Sequence, residues 1–288
     1  MAKRYDLSPQ IEFNIKSYLE RELINDGLYF NVSSGTIDVD NNQIGTLSRV
    51  NGTIYESYFD RWIYESDASG VSPFNTSIAS GVYVNGTFYA KGAGPYSPVI
   101  DYNEGKVIFG SAVPADALVA CNFSYKHVAI DYPESNIINL IYSTAKDMVD
   151  STTHAYPSGN QRQVPRLVID LQKRDQQGFA LGGAKQYNQQ VVFHVLANTR
   201  HERSQIVDIL TRRLNQKAIV GVNFNVVPQL LTYQGDIAAT YINYTDLQAN
   251  STYTWVKLYI EEPKIVKQDQ FFQYYRARVD WNLTLITV

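Results

Sequence analysis

Four histidines, one cysteine, an acidic cluster and a glycine-rich segment are the parts of this sequence that could do chemistry. His127, His154, His194 and His201 would serve as metal ligands or general bases if they shared a motif. None sits in an H-E-x-x-H arrangement, and the single cysteine, Cys121, cannot build a thiolate cluster. His194 lies in an apolar alternating run, where a structural imidazole is expected. His201 lies in the first turn of an expected helix and should be exposed. Asp38-Val-Asp40-Asn-Asn42 begins like a calcium-binding loop. Gln43 then stands where that loop needs glycine, and Arg49 where it needs a chelating glutamate, so a solvated turn is the better reading. Gly178-Phe-Ala-Leu-Gly-Gly183-Ala-Lys185 approximates a phosphate-binding loop. However, Ala184 separates glycine from lysine, Gln186 follows the lysine, and the next expected element is a strand rather than a helix. No G-x-S-x-G elbow, dinucleotide fingerprint or C-x-x-C occurs. The expectation is no catalytic residue, no cofactor and no metal. A carboxylate pair, which leaves no local signature, is the enzymatic alternative.

The composition points the same way. The chain has 288 residues, enough for one large domain or two ordinary ones. Hydrophobic residues at 44% suffice for a core, while charged residues reach only 18% and tyrosines number 22. That balance suits strands and wet protein–protein surfaces. A net charge of −3 excludes a broadly basic nucleic-acid binder. One cysteine excludes an internal disulfide framework; Cys121, in the alternating run 118–125, is expected to be a buried strand residue. The N-terminal MAKRYDLSPQ lacks the apolar run of a signal peptide, and no stretch approaches a membrane span. The Asn-X-Ser/Thr triplets at Asn31, Asn85, Asn122, Asn243 and Asn282 are accordingly read as unmodified.

Hydrophobic spacing predicts the elements that would position these residues. A helix runs from Pro9 to Asp26, with Ser8 as its N-cap, Ile11, Ile15, Tyr18, Leu19 and Leu23 on its apolar stripe, and Gly27 closing it. An extended stretch follows at 28–32. Turn signals fill 33–53, Thr53–Trp62 alternates as a strand, and 66–80 is loop-like. GVYVNGTFY, residues 81–89, reads as a hairpin about Asn85-Gly86, because a type I′ turn needs positive φ at both central positions. A second hairpin joins 99–102 to 106–109, and Leu118–Ile130 reads as one long strand. A helix is expected from Glu134 or Ser135 to Val149. Strands follow at 165–171 and 190–197, joined by a long Gly-rich loop, 172–189. Thr199 and Glu202 form a capping box that opens a helix through Lys217. An extended stretch to Val227, a polar connection at 229–252, a strand at Tyr253–Ile260 and an alternating strand at Tyr274–Val288 complete the chain. The fold class expected is α+β: a mostly antiparallel sheet with helices on one face, carrying an inserted small antiparallel β module. The core is placed at 1–32 and 133–288. The insertion is placed at 33–132, with its hairpin module at 81–130.

The order helix, Pro165-Arg-Leu-Val-Ile-Asp, Gln190-Val-Val-Phe-His-Val-Leu-Ala-Asn-Thr, then Arg200-His-Glu-Arg-Ser-Gln-Ile-Val-Asp-Ile-Leu resembles the tail terminator and neck proteins of tailed bacteriophages. The resemblance covers residues 5–32 and 160–288; compact terminators have no counterpart of 33–135. It implies a hexameric ring that caps the tail and joins it to the head connector, assembled in the host cytoplasm and located in the virion. The implied partners are other copies of the chain, tail tube and sheath proteins, and a head-side connector or stopper. DNA would pass through the ring without specific binding, and no membrane is involved.

A ring needs a heterologous interface that closes. Candidate interface residues are Arg200, Arg203, Arg212 and Arg213 on the helix 199–217, which carries a net +3 when Lys217, Glu202 and Asp208 are included. Lys173, Arg174 and Lys185 in the Gly-rich loop, and Tyr83 and Tyr89 on the hairpin, complete the set. Phe88 and Tyr96 belong to the same aromatic group. A head-completion stopper, collar or baseplate component is the alternative within the virion. A carbohydrate-binding β-module protein, with the Tyr-rich segment as its platform, is the alternative from another class.

Overall fold

The computed structural model describes residues 7–32, 45–57, 59–65, 76–132, 164–178, 185–212, 218–222, 230–242, 246, 254–271 and 274–287. The chain divides into two compact units. The first comprises Met1–Leu23, Val128–Val227 and Leu247–Val288; the second comprises Ile24–His127 and Pro228–Asp246. The second unit thus starts before residue 33, and the polar connection near 229–252 largely belongs to it. The fold is α+β with mostly antiparallel sheet, as the sequence indicates. The expected helix at 135–149 and the calcium-like segment 38–42 lie outside the described residues, as does His154.

Helix α1, Leu7–Asn25, begins slightly ahead of the expected cap at Ser8. It buries Ile11, Ile15, Tyr18, Leu19 and Leu23, the stripe read from the sequence. Gly27 ends it with φ 81° and donates its N–H to the Ile24 carbonyl. In the second unit β1, Tyr29–Val32, pairs with β9, Phe123–Lys126. A four-stranded sheet contains β2 (Ser48–Arg49), β3 (Ile54–Glu56), β6 (Val99–Asp101) and β7 (Lys106–Ile108) in the order β2-β3-β7-β6. A three-stranded sheet joins the hairpin about Asn85-Gly86, β4 (Gly81–Val84) and β5 (Thr87–Ala90), to β8 (Val119–Ala120). Asn85 and Gly86 take φ 49° and 78°, the positive pair that a type I′ turn demands.

The long strand expected at Leu118–Ile130 is three strands: β8, β9 and β10, Ala129–Asp131. They pair with β4, with β1, and, in the first unit, with β11. Phe123, Ser124, Tyr125 and Lys126 are all buried, so burial here has no period of two and marks no boundary. Trp62 stacks on Phe123 at 4.0 Å in the core of this unit. The Trp62 Nε1–H donates to the Phe59 carbonyl at 2.8 Å. Gly105 sits against this pair at φ 63°; a Cβ there would lie 2.2 Å from the Phe59 oxygen. Segment 230–242 is held within the unit by Tyr102 N–H donating to the Gly235 carbonyl and by the ion pair Lys91–Asp236 at 2.7 Å.

The first unit is built on a six-stranded sheet. Its members are β10, β11 (Arg166–Gly178), β12 (Lys185–Ala197), β13 (Ala218–Val222), β14 (Thr254–Phe271) and β15 (Tyr274–Thr287), in the order β10-β11-β12-β15-β14-β13. All contacts are antiparallel except β10 on β11. The Gly-rich loop expected at 172–189 is mostly strand. Arg174 to Gly178 pair with Gln189 to Lys185, past a bulge between Leu171 and Arg174, leaving only 179–184 outside the described residues. Its Gln, Lys, Arg and Asp residues are exposed through 172–177, and that polarity imitates a loop while the backbone stays in the ladder. Strand β14 likewise continues well past Ile260, through Pro263 and two register shifts.

β15 buries Ala277, Val279, Trp281, Leu283 and Leu285, the parity read from the sequence. Arg276 and Arg278 on the alternate positions chelate Asp269 and Asp280 with paired guanidinium hydrogen bonds. Helix α2, Arg200–Thr211, opens with the expected capping box and buries Ile206, Val207, Ile209 and Leu210. It is fixed to the sheet where the Trp281 Nε1–H donates to the Leu210 carbonyl at 2.8 Å, with Phe193 edge-on to the indole at 4.4 Å.

Gly105→Ala should cost about 2–4 kcal/mol, combining a left-handed backbone with a clash against a carbonyl that cannot move without breaking the Trp62 bond. A lowered urea midpoint with an unchanged m-value is the expected result, and a midpoint equal to wild type would contradict it.

Candidate functional site

The surface residues selected from the sequence are divided between the two units, Tyr83 and Tyr89 in the second and the arginines and lysines in the first. In α2, Arg200 and Arg212 are exposed, but Arg203 is only 7% accessible. Its guanidinium lies 5.9 Å from the Tyr275 ring centroid, and its Nε is buried without a hydrogen-bond partner among the described residues. Arg203 therefore belongs to the packing of helix on sheet. Arg200 and Arg212 stand about 18 Å apart along the axis and about 120° around it, from helical rise and pitch. Arg213 and Lys217 lie outside the described residues. The three described arginines of this segment therefore do not share one face.

Lys173 and Arg174 project from the exposed half of β11, with Lys173 3.3 Å from Asp175. Lys185 starts β12 opposite Gly178 and Thr287. His194 lies within β12 opposite Val168 and Arg278; burial lowers its pKa, with Asp170 opposing, so the imidazole is neutral near pH 7. His201 is exposed. No group of three or more His, Cys, Asp or Glu able to hold a metal exists among the described residues. No helix among them is long and apolar enough to cross a membrane.

The sheet adds surface that the sequence reading missed. β10 covers β11 only from Arg166 to Val168, and β13 covers β14 only from Thr254 to Tyr259. Beyond those residues each strand has one neighbour among the described residues. Following the register across, Gln176 is level with Tyr187, Leu285 and Leu258, whereas Asp269 is level with Arg276, Leu196 and Arg166. The two edges left uncovered among the described residues are thus on opposite sides of the sheet and at opposite ends. Along the β14 edge Ile265 and Val266 are 49% and 53% accessible. The only sequence signal for them was an apolar pair inside a charged run.

In the second unit the hairpin forms one wall of a cleft of about 320 Å³, lined by Ser77, Ile78, Ser80, Gly81, Tyr83, Phe88 and Asn122. Tyr83 and Phe88 are cross-strand partners whose rings lie 5.2 Å apart. Tyr89 is not in the cleft; it packs edge-on to Tyr96 at 5.1 Å. Non-hairpin members of the cleft come from 77–80, read as loop, and from Asn122, brought up by the pairing of Tyr83 with Ala120. The 77–81 segment is held by hydrogen bonds along its length. Ser77 exchanges hydrogen bonds with Ser124, its N–H donating to Oγ and its carbonyl accepting from the Ser124 N–H, each at 2.7 Å. The Tyr102 hydroxyl donates to the Ala79 carbonyl at 2.5 Å, Lys91 N–H to the Ser80 carbonyl at 3.0 Å, and the Cys121 thiol to the Gly81 carbonyl at 3.2 Å.

Burial pushes the Cys121 thiol up to about 12 and raises Tyr102 well above the usual phenol range, with Asp236 adding to the latter. Both groups therefore remain donors over the whole physiological range. No protein-family model matches the chain, and no curated protein matches it.

The sign of the thiol shift fixes a pH dependence. A folded-state value above the ordinary 9.0 contributes stability that is complete below pH 9 and is lost as pH rises toward about 12. Urea midpoints should therefore fall between about pH 8 and about pH 10.5, and the fall should be shallower in Cys121→Ala. A pH-independent midpoint over that interval would contradict it.

Proposed function

We propose that this chain is a structural protein of the tailed-phage neck, a tail terminator that acts by assembling into a ring and performs no catalysis. The observation that carries the reading is the pair of staggered edges on the six-stranded sheet that no strand among the described residues covers. Of the residues that bear the terminator resemblance, 166–170, 190–197 and 200–210 fall on β11, β12 and α2 of this sheet-and-helix unit, while the N-terminal helix α1 ends beyond it, at Asn25.

The topology supports a head-to-tail contact. β11 runs antiparallel to β14 across the sheet, as successive pairings require. A second copy approaching edge to edge in the same orientation brings its β11 antiparallel to the first copy's β14. That is the prevailing pairing mode of the sheet, and the contact is heterologous, the type that forms a ring when the rotation per copy closes and an open fibre when it does not. The β14 edge is interrupted by Pro263, by Lys264 and Lys267, and by register shifts at 261/264 and 265/267. Such features suppress indiscriminate pairing. The contact there rests on side chains, led by exposed Ile265 and Val266, more than on an unbroken backbone ladder. Tail tube, sheath and head-side connector proteins are the partners this role entails. Arg200, Arg212, Lys173 and Arg174 remain exposed for them.

The test is sedimentation velocity of the full chain over a range of concentrations. Wild type should populate a hexamer-sized species. Ile265→Asp combined with Val266→Asp should remove it with an unchanged circular dichroism spectrum, because both side chains are already solvated. A wild type that stays monomeric both free and on purified tails, or a double variant that assembles like wild type, would refute the edge-to-edge ring.

A further inference from the structure

We infer that the cleft of the second unit is a binding site for a neutral saccharide. Its lining selects that chemistry. Ser77 and Ser80 are exposed and offer hydroxyls, Asn122 adds a polar side chain, and among the described residues no charged side chain lines the cleft. An ionic ligand would surrender its hydration without a counter-charge. A wholly apolar ligand would cover the Ser77 and Ser80 hydroxyls without replacing their water. Two aromatic rings complete the lining. The Phe88 ring is 45% accessible, and Tyr83, inclined to it by 57°, is half-buried. A pyranose has one face of C–H groups and a rim of hydroxyls, so it satisfies both sets at once. The C–H face meets the negative face of a ring, and the rim meets Ser77, Ser80 and Asn122.

The wall is built in advance of any ligand. The carbonyls of Ser77, Ala79, Ser80 and Gly81 each accept a hydrogen bond from within the unit. Gly81 is required in this wall, because a Cβ would lie 2.6 Å from the Phe88 ring and 2.3 Å from the Tyr89 carbonyl. The missing side chain lets the Phe88 ring lie against the wall. Preorganisation of this kind reduces the ordering cost of binding. The volume, about 320 Å³, lies at the small end of ligand sites, roughly 300–1,000 Å³, and suits a terminal sugar rather than a buried oligomer.

The site lies in the second unit and is independent of the ring-forming edges, so its failure leaves the neck reading untouched. The experiment is saturation-transfer-difference NMR on the full chain with the methyl glycosides of glucose, galactose, mannose and N-acetylglucosamine, each in turn. At least one should receive transfer, strongest at the protons of one ring face. Phe88→Ala should weaken that ligand by about tenfold, the loss of one aromatic contact. Ser80→Ala, an exposed change that leaves the fold intact, should weaken it by about threefold to tenfold. No transfer to any of the four glycosides, or affinity unchanged in both variants, would overturn the proposal.

Discussion

The two thirteen-residue strands β11 and β12 pair over almost their whole length, and β12 pairs with β15 through thirteen successive positions. The first unit depends on this central ladder. It fixes Phe193 opposite Val279 and Val191 opposite Trp281, which puts the indole where α2 can accept its hydrogen bond through the Leu210 carbonyl. A slip of one residue would turn Ala277, Val279, Trp281, Leu283 and Leu285 outward and the Arg276 and Arg278 ion pairs inward. The buried parity is therefore also what sets the position of the two uncovered edges.

The second unit obeys a different constraint. Its strands are short and spread over three small sheets, so it cannot rely on a long ladder. Buried aromatic packing and side-chain hydrogen bonds to irregular backbone take that role. Trp62 on Phe123 and the donors Tyr102 and Cys121 are the main examples. Such bonds satisfy carbonyls that no strand partner reaches, which is the condition for folding a non-repetitive segment against a core. The same bonds give the cleft wall its fixed shape.

Local signals were legible in the sequence. Asn85-Gly86 specifies its turn through backbone angles alone, Thr199 and Glu202 specify a helix start, and β15 declares its buried face by strict alternation. Non-local features were not legible. The polar ends of β11 and β12 read as loop because their strand character depends on pairing with each other and with β15. Residues 118–130 read as one strand because consecutive burial hides the points where the chain changes partner. Arg203 reads as a surface charge until Tyr275 is placed beneath it. The cleft draws on residues more than thirty positions apart, which no window along the chain can join.

The proposed ring rests on the two sheet edges left uncovered among the described residues. The most direct test is negative-stain electron microscopy of the concentrated full-length chain, alone and mixed with purified phage tails. Closed six-fold rings, free or seated on one end of the tail, are the predicted result. Monodisperse particles with no affinity for tails, or open fibres in place of rings, would contradict the account.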